Sequence, residues 1–209
     1  MRYERLLAID PSLTCSGWAL FDIGTGKLKA VGKIRSMSAQ HQLAERLDDL
    51  HNKVQRLMEI LELDYKDVLI AEDATTMRDP DAAIKVEQVR GIFENSARTF
   101  GLCVPGRLNP RTVQSELLGL RGRQLKRPII KAMAVSTVQQ IFSECLARLN
   151  FETSDAALTA NQDIVDAILL GHLATSKVRM AQEGAFDLKV CFQKGRTNRA
   201  RAYRGMIMN

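Results

Sequence analysis

The sequence predicts an α/β fold in which a mixed five-stranded sheet carries helices on its faces. Three observations lead to this fold class. Five short apolar stretches have the length and composition of strands, the first three follow one another directly, and helical periodicity separates the others. The strand-like stretches lie at residues 5–10, 15–21, 28–34, 68–71 and 102–105. A chain of 209 residues suits one large domain and is short for two full cores.

The first three strands are expected to form an antiparallel meander. Residues 6–9 are a continuous apolar run, which is typical of a buried strand. Residues 22–26, Asp-Ile-Gly-Thr-Gly, separate the second strand from the third and have the residue types of a hairpin turn. Strands joined by such a short turn pair with each other in antiparallel fashion.

Five helices account for most of the remaining chain. Asp79 and Asn109 each precede a proline, so each can cap a helix whose first residue is that proline. Thr159 can cap the last helix, because Gln162 stands three residues later and would complete a capping box. The helices are predicted at residues 40–63, 79–100, 109–118, 128–149 and 159–180.

The positive charge is concentrated at the C-terminus. The net charge is +6, and residues 177–209 contain eight basic and two acidic side chains, so residues 1–176 are neutral overall. The sequence thus divides into a domain at 1–176 and a basic C-terminal extension at 177–209. Such an extension indicates a polyanionic partner, most simply nucleic acid. A solubilising tail, or a strand packed on the core around residues 186–192, remains an alternative.

Nothing in the sequence indicates a membrane or an oxidising compartment. The apolar runs are far shorter than the roughly 20 residues that span a bilayer, and residues 1–5 lead into the first strand without a signal-peptide core. We therefore expect a soluble, cytoplasmic protein without a membrane partner. The four cysteines lie far apart in sequence and are expected to be packing residues or free thiols: Cys15, Cys103, Cys145 and Cys191.

Four carboxylates occupy positions that a structural role explains poorly. Asp10 and Glu72 each end an apolar strand, and Asp163 and Asp166 lie three residues apart on one face of the last helix. Burying such groups is unfavourable unless each has a basic partner or they share a divalent cation. Hard oxygen ligands suit Mg²⁺ or Mn²⁺, and two such ions can hydrolyse a phosphodiester. Four other aspartates fit caps or surface positions: Asp64, Asp67, Asp73 and Asp155.

Basic side chains that could contact phosphates fall into two groups. The first lies in a glycine-containing loop, which could equally be a solvated surface loop. Its members are Arg121, Arg123, Lys126 and Arg127. In the second group, Lys85 and Arg90 follow Glu72 on the next helix and could line the same groove, or pair with Glu87 on the helix surface.

The helix at 79–100 carries apolar residues on two faces. Besides its main stripe it has Ile84 and Ile92 on a second side, which indicates burial against another surface. A second copy of the chain is the natural candidate, and coverage by a neighbouring helix is the alternative.

Five motifs, in order, resemble those of the RuvC-type Holliday junction resolvases. Residues 9–19, I-D-P-S-L-T-C-S-G-W-A, resemble the first motif, with an Asp that ends strand one. The segment I-A-E resembles the second motif, and K-V-E-Q-V-R-G resembles the helix that follows it. The segment G-R-Q-L-K resembles the loop that presents a catalytic lysine, and D-I-V-D-A resembles the closing motif. These four lie at residues 70–72, 85–91, 122–126 and 163–167.

The resemblance implies an RNase H-like fold, a homodimer, and Mg²⁺-dependent symmetric nicking of four-way DNA junctions. By the same resemblance, four carboxylates would be metal ligands and one lysine would neutralise charge near the scissile phosphate. These catalytic residues are Asp10, Glu72, Asp163, Asp166 and Lys126.

The sequence departs from the family pattern at three places. Thr75 stands where many members carry an aromatic wedge, Gln114 stands where a second lysine is usual, and residues beyond 177 have no counterpart in compact members. A divergent or viral resolvase would fit these departures. Alternatives are an RNase H or transposase-like nuclease, an actin-like ATPase fragment, and a non-catalytic DNA-binding protein.

Overall fold

The computed structural model describes residues 2–74, 79–120 and 125–192. These residues form a mixed five-stranded sheet in the order β3-β2-β1-β4-β5. β1, β2 and β3 are an antiparallel meander, whereas β4 lies parallel to β1 and β5 parallel to β4. The predicted meander and mixed sheet are therefore confirmed. The strands are β1 Arg5–Asp10, β2 Cys15–Asp22, β3 Leu28–Arg35, β4 Asp67–Glu72 and β5 Arg107–Leu108.

Helices cover both faces of the sheet. They are α1 Leu43–Ile60, α2 Pro80–Thr99, α3 Pro110–Leu117, α4 Arg127–Arg148, α5 Asp155–Ala160, α6 Gln162–Glu183 and α7 Leu188–Phe192. The side chain of Asp79 accepts a hydrogen bond from the Asp81 amide at the start of α2, and Asn109 does the same for Arg111 at the start of α3. Both predicted N-caps are confirmed.

Strand alternation divides the core into two layers. Leu6 and Ala8 of β1 pack in a cluster with α6, whereas Leu7 and Ile9 pack in a cluster with α1 and α2. Asp10 is two residues beyond Ala8, so it belongs to the α6 side of the sheet. No helix among residues 2–74, 79–120 and 125–192 is long and apolar enough to cross a membrane. The four cysteines are free thiols.

The last strand lies elsewhere than predicted. The last strand is Arg107–Leu108 rather than 102–105, and Cys103 makes only an isolated bridge with Val68. Pro105 has no amide hydrogen for a strand ladder, and Gly106 next to it has a φ of 158°, so regular pairing resumes only at Arg107.

The predicted capping by Thr159 is wrong. Thr159 lies inside α5, which Ser154 caps by accepting a hydrogen bond from the Ala157 amide. The helix is interrupted at Asn161, whose backbone is not helical, and α6 begins at the next residue. A stronger cap upstream therefore starts a separate short helix and leaves Thr159 in its interior.

The packed structure extends beyond the predicted division after Ser176. α6 continues to Glu183 and α7 follows, so the boundary falls inside a helix. Residues of both helices lie in the core: Val178, Ala181, Leu188 and Phe192 are buried. Within the segment 186–192, α7 thus packs on the core as a helix and not as a strand, because a spacing of four residues places Leu188 and Phe192 on one helical face, whereas Phe186 is exposed.

Candidate active site at the ends of the central strands

The pairing of β1 with β4 brings Asp10 and Glu72 together. The two strands are parallel, and Ile9 lies opposite Ala71, so the next residue in each strand ends at the same edge of the sheet. Both carboxylates lie on the α6 side by alternation, because Ala8 and Ile70 two residues earlier pack in the α6 cluster. The two acidic strand ends predicted from the sequence are therefore neighbours.

Gly17 allows the start of α6 to approach this edge. It lies opposite Asp10 in the β1–β2 pair. A Cβ built on Gly17 would lie 1.9 Å from the main-chain oxygen of Asp163 and 2.9 Å from the amide nitrogen of Ile164. No side chain can occupy that space, so only glycine lets the helix backbone lie on β2 at this point. The first turn of α6, with Asp163, consequently covers the end of β1.

The carboxylates influence one another strongly. Burial raises the pKa of Asp10 well above its ordinary value, and the charges of Glu72, Asp166 and Asp163 raise it further. Burial and then the charge of Asp166 raise the pKa of Glu72 to about 7, against the opposing effect of Arg90. Burial also raises the pKa of Asp166, although Gln162 donates a hydrogen bond of 3.0 Å to its Oδ1. The carboxylates therefore repel one another, and the nearby cations offset this repulsion only in part.

The donor set fits a hard divalent cation. All four predicted ligands offer carboxylate oxygens, and the buried Oε1 of Gln162, whose amide group binds Asp166, has no hydrogen-bond partner. Within the described ranges, no three His, Cys, Asp or Glu side chains form a group that could hold a metal ion by themselves. Mg²⁺ commonly takes one or two protein carboxylates and completes its shell with water and substrate phosphate, so a closed protein cage is not required.

A cleft of about 620 Å³ adjoins the carboxylates. Glu72 and Asp166 line it together with Arg127 and Lys131 from the start of α4 and Gln114 from α3. Arg127 and Lys131 both act to lower the pKa of Asp166. Acidic and basic side chains thus face the same space, as is needed to hold both a metal ion and a phosphate.

Comparisons with known proteins identify the family. The family model described as "Crossover junction endodeoxyribonuclease RuvC" matches residues 6–144, which is more than half of the chain. The chain belongs to the RuvC family. A RuvC protein of Paramagnetospirillum magneticum is 31% identical over 155 residues, which cover 73% of this chain and 84% of the relative. A RuvC protein of Chelativorans sp. is 31% identical over 140 residues, covering 66% and 78%.

Solved RuvC structures share the fold. The chain matches a structure titled "T. thermophilus RuvC in complex with Holliday junction substrate" with a TM-score of 0.59 and 16% identity, covering 87% of this chain and 97% of that one. A second Thermus thermophilus RuvC structure matches with a TM-score of 0.60 and 18% identity, covering 86% and 96%. At these identities the likeness establishes the fold, and the predicted RNase H-like sheet is confirmed. The RuvC family is metal-dependent, in keeping with the acidic donor set.

The predicted basic residues differ in how exposed they are in the structure. Lys126 is exposed at the N-cap of α4, next to Arg127 in the cleft wall, and Lys85 is exposed on α2. Arg90 is only 2% exposed and bonded inside the protein, so its prediction as a DNA contact is wrong. A helix position that faces the sheet cannot present its guanidinium to a phosphate. Predicted residues Thr75, Arg121 and Arg123 lie outside the described ranges.

Sequence reasoning missed two cations and one amide at the site. Lys33 of β3 places its Nζ 3.6 Å from Oδ2 of Asp163, Lys131 lines the cleft, and Gln162 binds Asp166. The strand register could have predicted Lys33. Gly17 of β2 lies opposite Asp10 of β1 on one side and opposite Lys33 of β3 on the other. The placement of Lys131 and Gln162 at the site depends on how α4 and α6 pack, which no local sequence pattern predicts.

The second apolar face of α2 is partly exposed in this RuvC-family chain. Ile84 is 58% exposed and lines a groove of about 420 Å³ with Ala83, Val86 and Gln88. Ile92 is half-buried and packs against the core between α1 and the sheet. The exposed part of the predicted second apolar face is therefore confined to the N-terminal half of α2.

Proposed function

We propose that the chain is a structure-selective DNA endonuclease that resolves four-way junctions by metal-dependent, symmetric phosphodiester hydrolysis. The observation that carries this proposal is the convergence of the ends of β1 and β4 with the start of α6, which collects acidic side chains beside a cleft that also contains cations. Membership of the RuvC family and the likeness to a RuvC bound to a Holliday junction substrate support branched DNA as the substrate.

The metal ligands in this proposal are Asp10, Glu72, Asp163 and Asp166. Mg²⁺ or Mn²⁺, with two ions in each site, would supply an activated water and stabilise the leaving oxygen of the phosphodiester. Before binding, Asp10 and Glu72 hold protons more strongly than ordinary carboxylates because they lie half-buried near other acids. They therefore release protons when they become ligands. Gln162 orients Asp166 by its hydrogen bond.

The cations of the cleft contact the DNA backbone. Lys126 lies beside the scissile phosphate and offsets the negative charge that develops during cleavage. Arg127 and Lys131 contact a phosphate within the cleft. Lys85, Arg121 and Arg123 are further contacts to DNA phosphates.

A homodimer provides the second cut. A four-way junction has two symmetric scissile sites, and a two-fold pair of subunits presents one active site to each. The groove beside Ile84 on α2 is the surface that favours this pairing, because it is apolar and adjoins the end of β4 through Ala74.

A nicking assay with a panel of substrates tests the proposed function. Four-way, Y-shaped and linear duplex DNA and an RNA–DNA hybrid are incubated with the full chain in Mg²⁺ or in EDTA. We expect paired nicks in the four-way junction in Mg²⁺ and none in EDTA. Preferential cleavage of the hybrid would indicate an RNase H activity instead, and cleavage in EDTA would contradict the metal site.

A further inference from the structure

A chain of alternating charges lies behind Glu72 on the α2 side of the sheet. Arg90 donates from Nη1 to Oε1 of Glu87 at 2.5 Å, and Arg107 donates from Nη1 to Oε2 of the same carboxylate at 3.0 Å. Arg107 also donates from Nε and Nη2 to the two oxygens of Glu94, at 2.6 and 3.1 Å. Two arginines and two glutamates thus balance their charges across α2 and β5.

This chain of charges ends on the main chain of Glu72. The Nε of Arg90 donates a hydrogen bond of 2.7 Å to the main-chain oxygen of Glu72. Glu72 is the last residue of β4, and pairing with β1 stops one residue earlier, at Ala71. Arg90 therefore bonds to β4 at the residue where the pairing of β4 with β1 has ended.

We propose that Arg90 is a positioning residue for Glu72. Its guanidinium fixes the peptide that follows the Cα of Glu72 from the α2 side, while the carboxylate of Glu72 lies on the α6 side with Asp166. Arg90 hydrogen-bonds to the backbone of Glu72 and touches no reacting atom. Glu94 binds Arg107, Arg107 binds Glu87, and Glu87 binds Arg90. The inference rests on the proposed function, because it assumes that Glu72 holds the metal.

The geometry requires arginine in particular. The planar guanidinium donates in two directions at once, from Nε to the carbonyl of Glu72 and from Nη1 to Glu87. A lysine ammonium at the same depth could satisfy one of these acceptors well but not both in this fork geometry. Because Arg90 is almost fully buried, bulk water cannot readily replace its Nε as the donor to the carbonyl of Glu72.

The variant Arg90→Lys tests the role, with Arg98→Lys as the matched control on the exposed end of the same helix. The full chain is assayed for single-turnover cleavage of a four-way junction at saturating enzyme, for the Mg²⁺ concentration that gives half of the maximal rate, and for junction affinity in EDTA. We expect Arg90→Lys to slow cleavage by roughly 10- to 100-fold, as misplacing a catalytic group does, and to raise the Mg²⁺ requirement at unchanged junction affinity. Arg98→Lys should match the wild type.

A purely structural role would lower the melting temperature without changing the rate or the Mg²⁺ requirement of the folded enzyme. That result for Arg90→Lys would overturn the inference. Where Arg90→Lys does not fold, Glu87→Gln replaces it, because the Glu87 side chain is 43% exposed. It should show a smaller rate loss with the same rise in Mg²⁺ requirement, and wild-type values would overturn the inference. Full cleavage by Glu72→Gln would instead overturn the proposed function.

Discussion

Without a metal ion, the clustered acidic side chains of the site destabilise the folded protein. The carboxylates of Asp10, Glu72 and Asp166 are half-buried near one another, and the pKa of each is raised. Above the pH at which these carboxylates lose their protons in the unfolded chain, their raised pKa values lower the free energy of unfolding. Stability is sacrificed for function here, as is common where active sites collect like charges.

The variant Glu72→Gln should therefore stabilise the metal-free protein at pH 8. The pKa of Glu72 rises from 4.5 to about 7 on folding, so the folded state binds more protons between these values and stability falls as pH rises through them. The effect is at most roughly 3 kcal/mol. Thermal melts in EDTA should show a higher melting temperature for the variant at pH 8 and no gain below pH 4.5. The exposed Glu59→Gln is the control, and an equal gain from it would contradict the explanation.

Lys126→Ala should slow cleavage more than it weakens binding. An ammonium group beside the scissile phosphate stabilises charge that grows in the transition state, which is worth roughly 10²-fold or more in rate. Lys126→Arg is expected not to restore the rate fully, because the two cationic groups differ in shape and hydration. Single-turnover rates and gel-shift affinities measure the two effects separately. Equal losses in both would make Lys126 an ordinary phosphate contact.

At the scale of elements, the contact of α6 with β2 assembles the site. The space opposite Asp10 is filled by the backbone of α6 because Gly17 has no side chain. The last motif of the sequence is thereby brought to the edge formed by β1 and β4, although about 150 residues separate Asp163 from Asp10 in the chain.

Gly17→Ala should damage both stability and cleavage. The new methyl group would overlap the carbonyl of Asp163 and displace α6, a type of overpacking that costs roughly 1–3 kcal/mol. We expect a melting temperature lower by roughly 5–10 °C and a large loss of cleavage. Gly91→Ala in α2 is the matched control, because a Cβ there meets nothing within 4 Å. If Gly17→Ala keeps wild-type stability and rate, the close approach of α6 is not what organises the site.

Local sequence signals predicted those elements whose cause is local. The N-caps Asp79 and Asn109 and the meander follow from neighbouring residues, and the structure has them. The position of β5 was wrong because its pairing depends on β4, and Thr159 was wrong because Ser154 caps the chain earlier.

Burial of charged residues was the least predictable feature. Arg90 faces the sheet and not solvent. Two of the four aspartates taken for caps or surface residues, Asp67 and Asp73, are 1% and 7% exposed. Asp67 forms an ion pair with Arg5 across β1 and β4. Such pairs are fixed by tertiary contacts between distant elements, and nothing within a few residues of each reveals them.

At the scale of the whole molecule, the residues that the structure describes end at the buried Phe192. Residues 193–209 follow it with five basic side chains and no acidic one, so they hold most of the net charge of +6. We propose that these residues increase affinity for DNA through phosphate contacts, separately from the chemistry at the carboxylates.

Two truncations should behave differently. Ending the chain after Ser176 removes the buried Val178, Ala181, Leu188 and Phe192. Each large apolar side chain contributes roughly 1.5–3 kcal/mol, so the loss is comparable with total stability and the protein should not fold stably. Ending it after Phe192 should leave the fold and cleavage at low salt intact. Because each phosphate contact contributes about 0.9 to the slope of log affinity against log salt, the loss of five such contacts should flatten the slope by up to roughly 4.5 units. An unchanged slope would exclude DNA binding by residues 193–209.

Cleavage by carboxylate variants tests the proposed site most directly. Asp10→Asn, Glu72→Gln and Asp166→Asn each remove one ligand charge with little change in shape, whereas Glu59→Gln changes an exposed glutamate elsewhere. Single-turnover cleavage of a four-way junction in Mg²⁺ is measured together with junction affinity in EDTA. We predict that each site variant cleaves roughly a thousandfold or more slowly while binding the junction normally, and that Glu59→Gln matches the wild type. Near-normal cleavage by Glu72→Gln would contradict the assignment of the metal site.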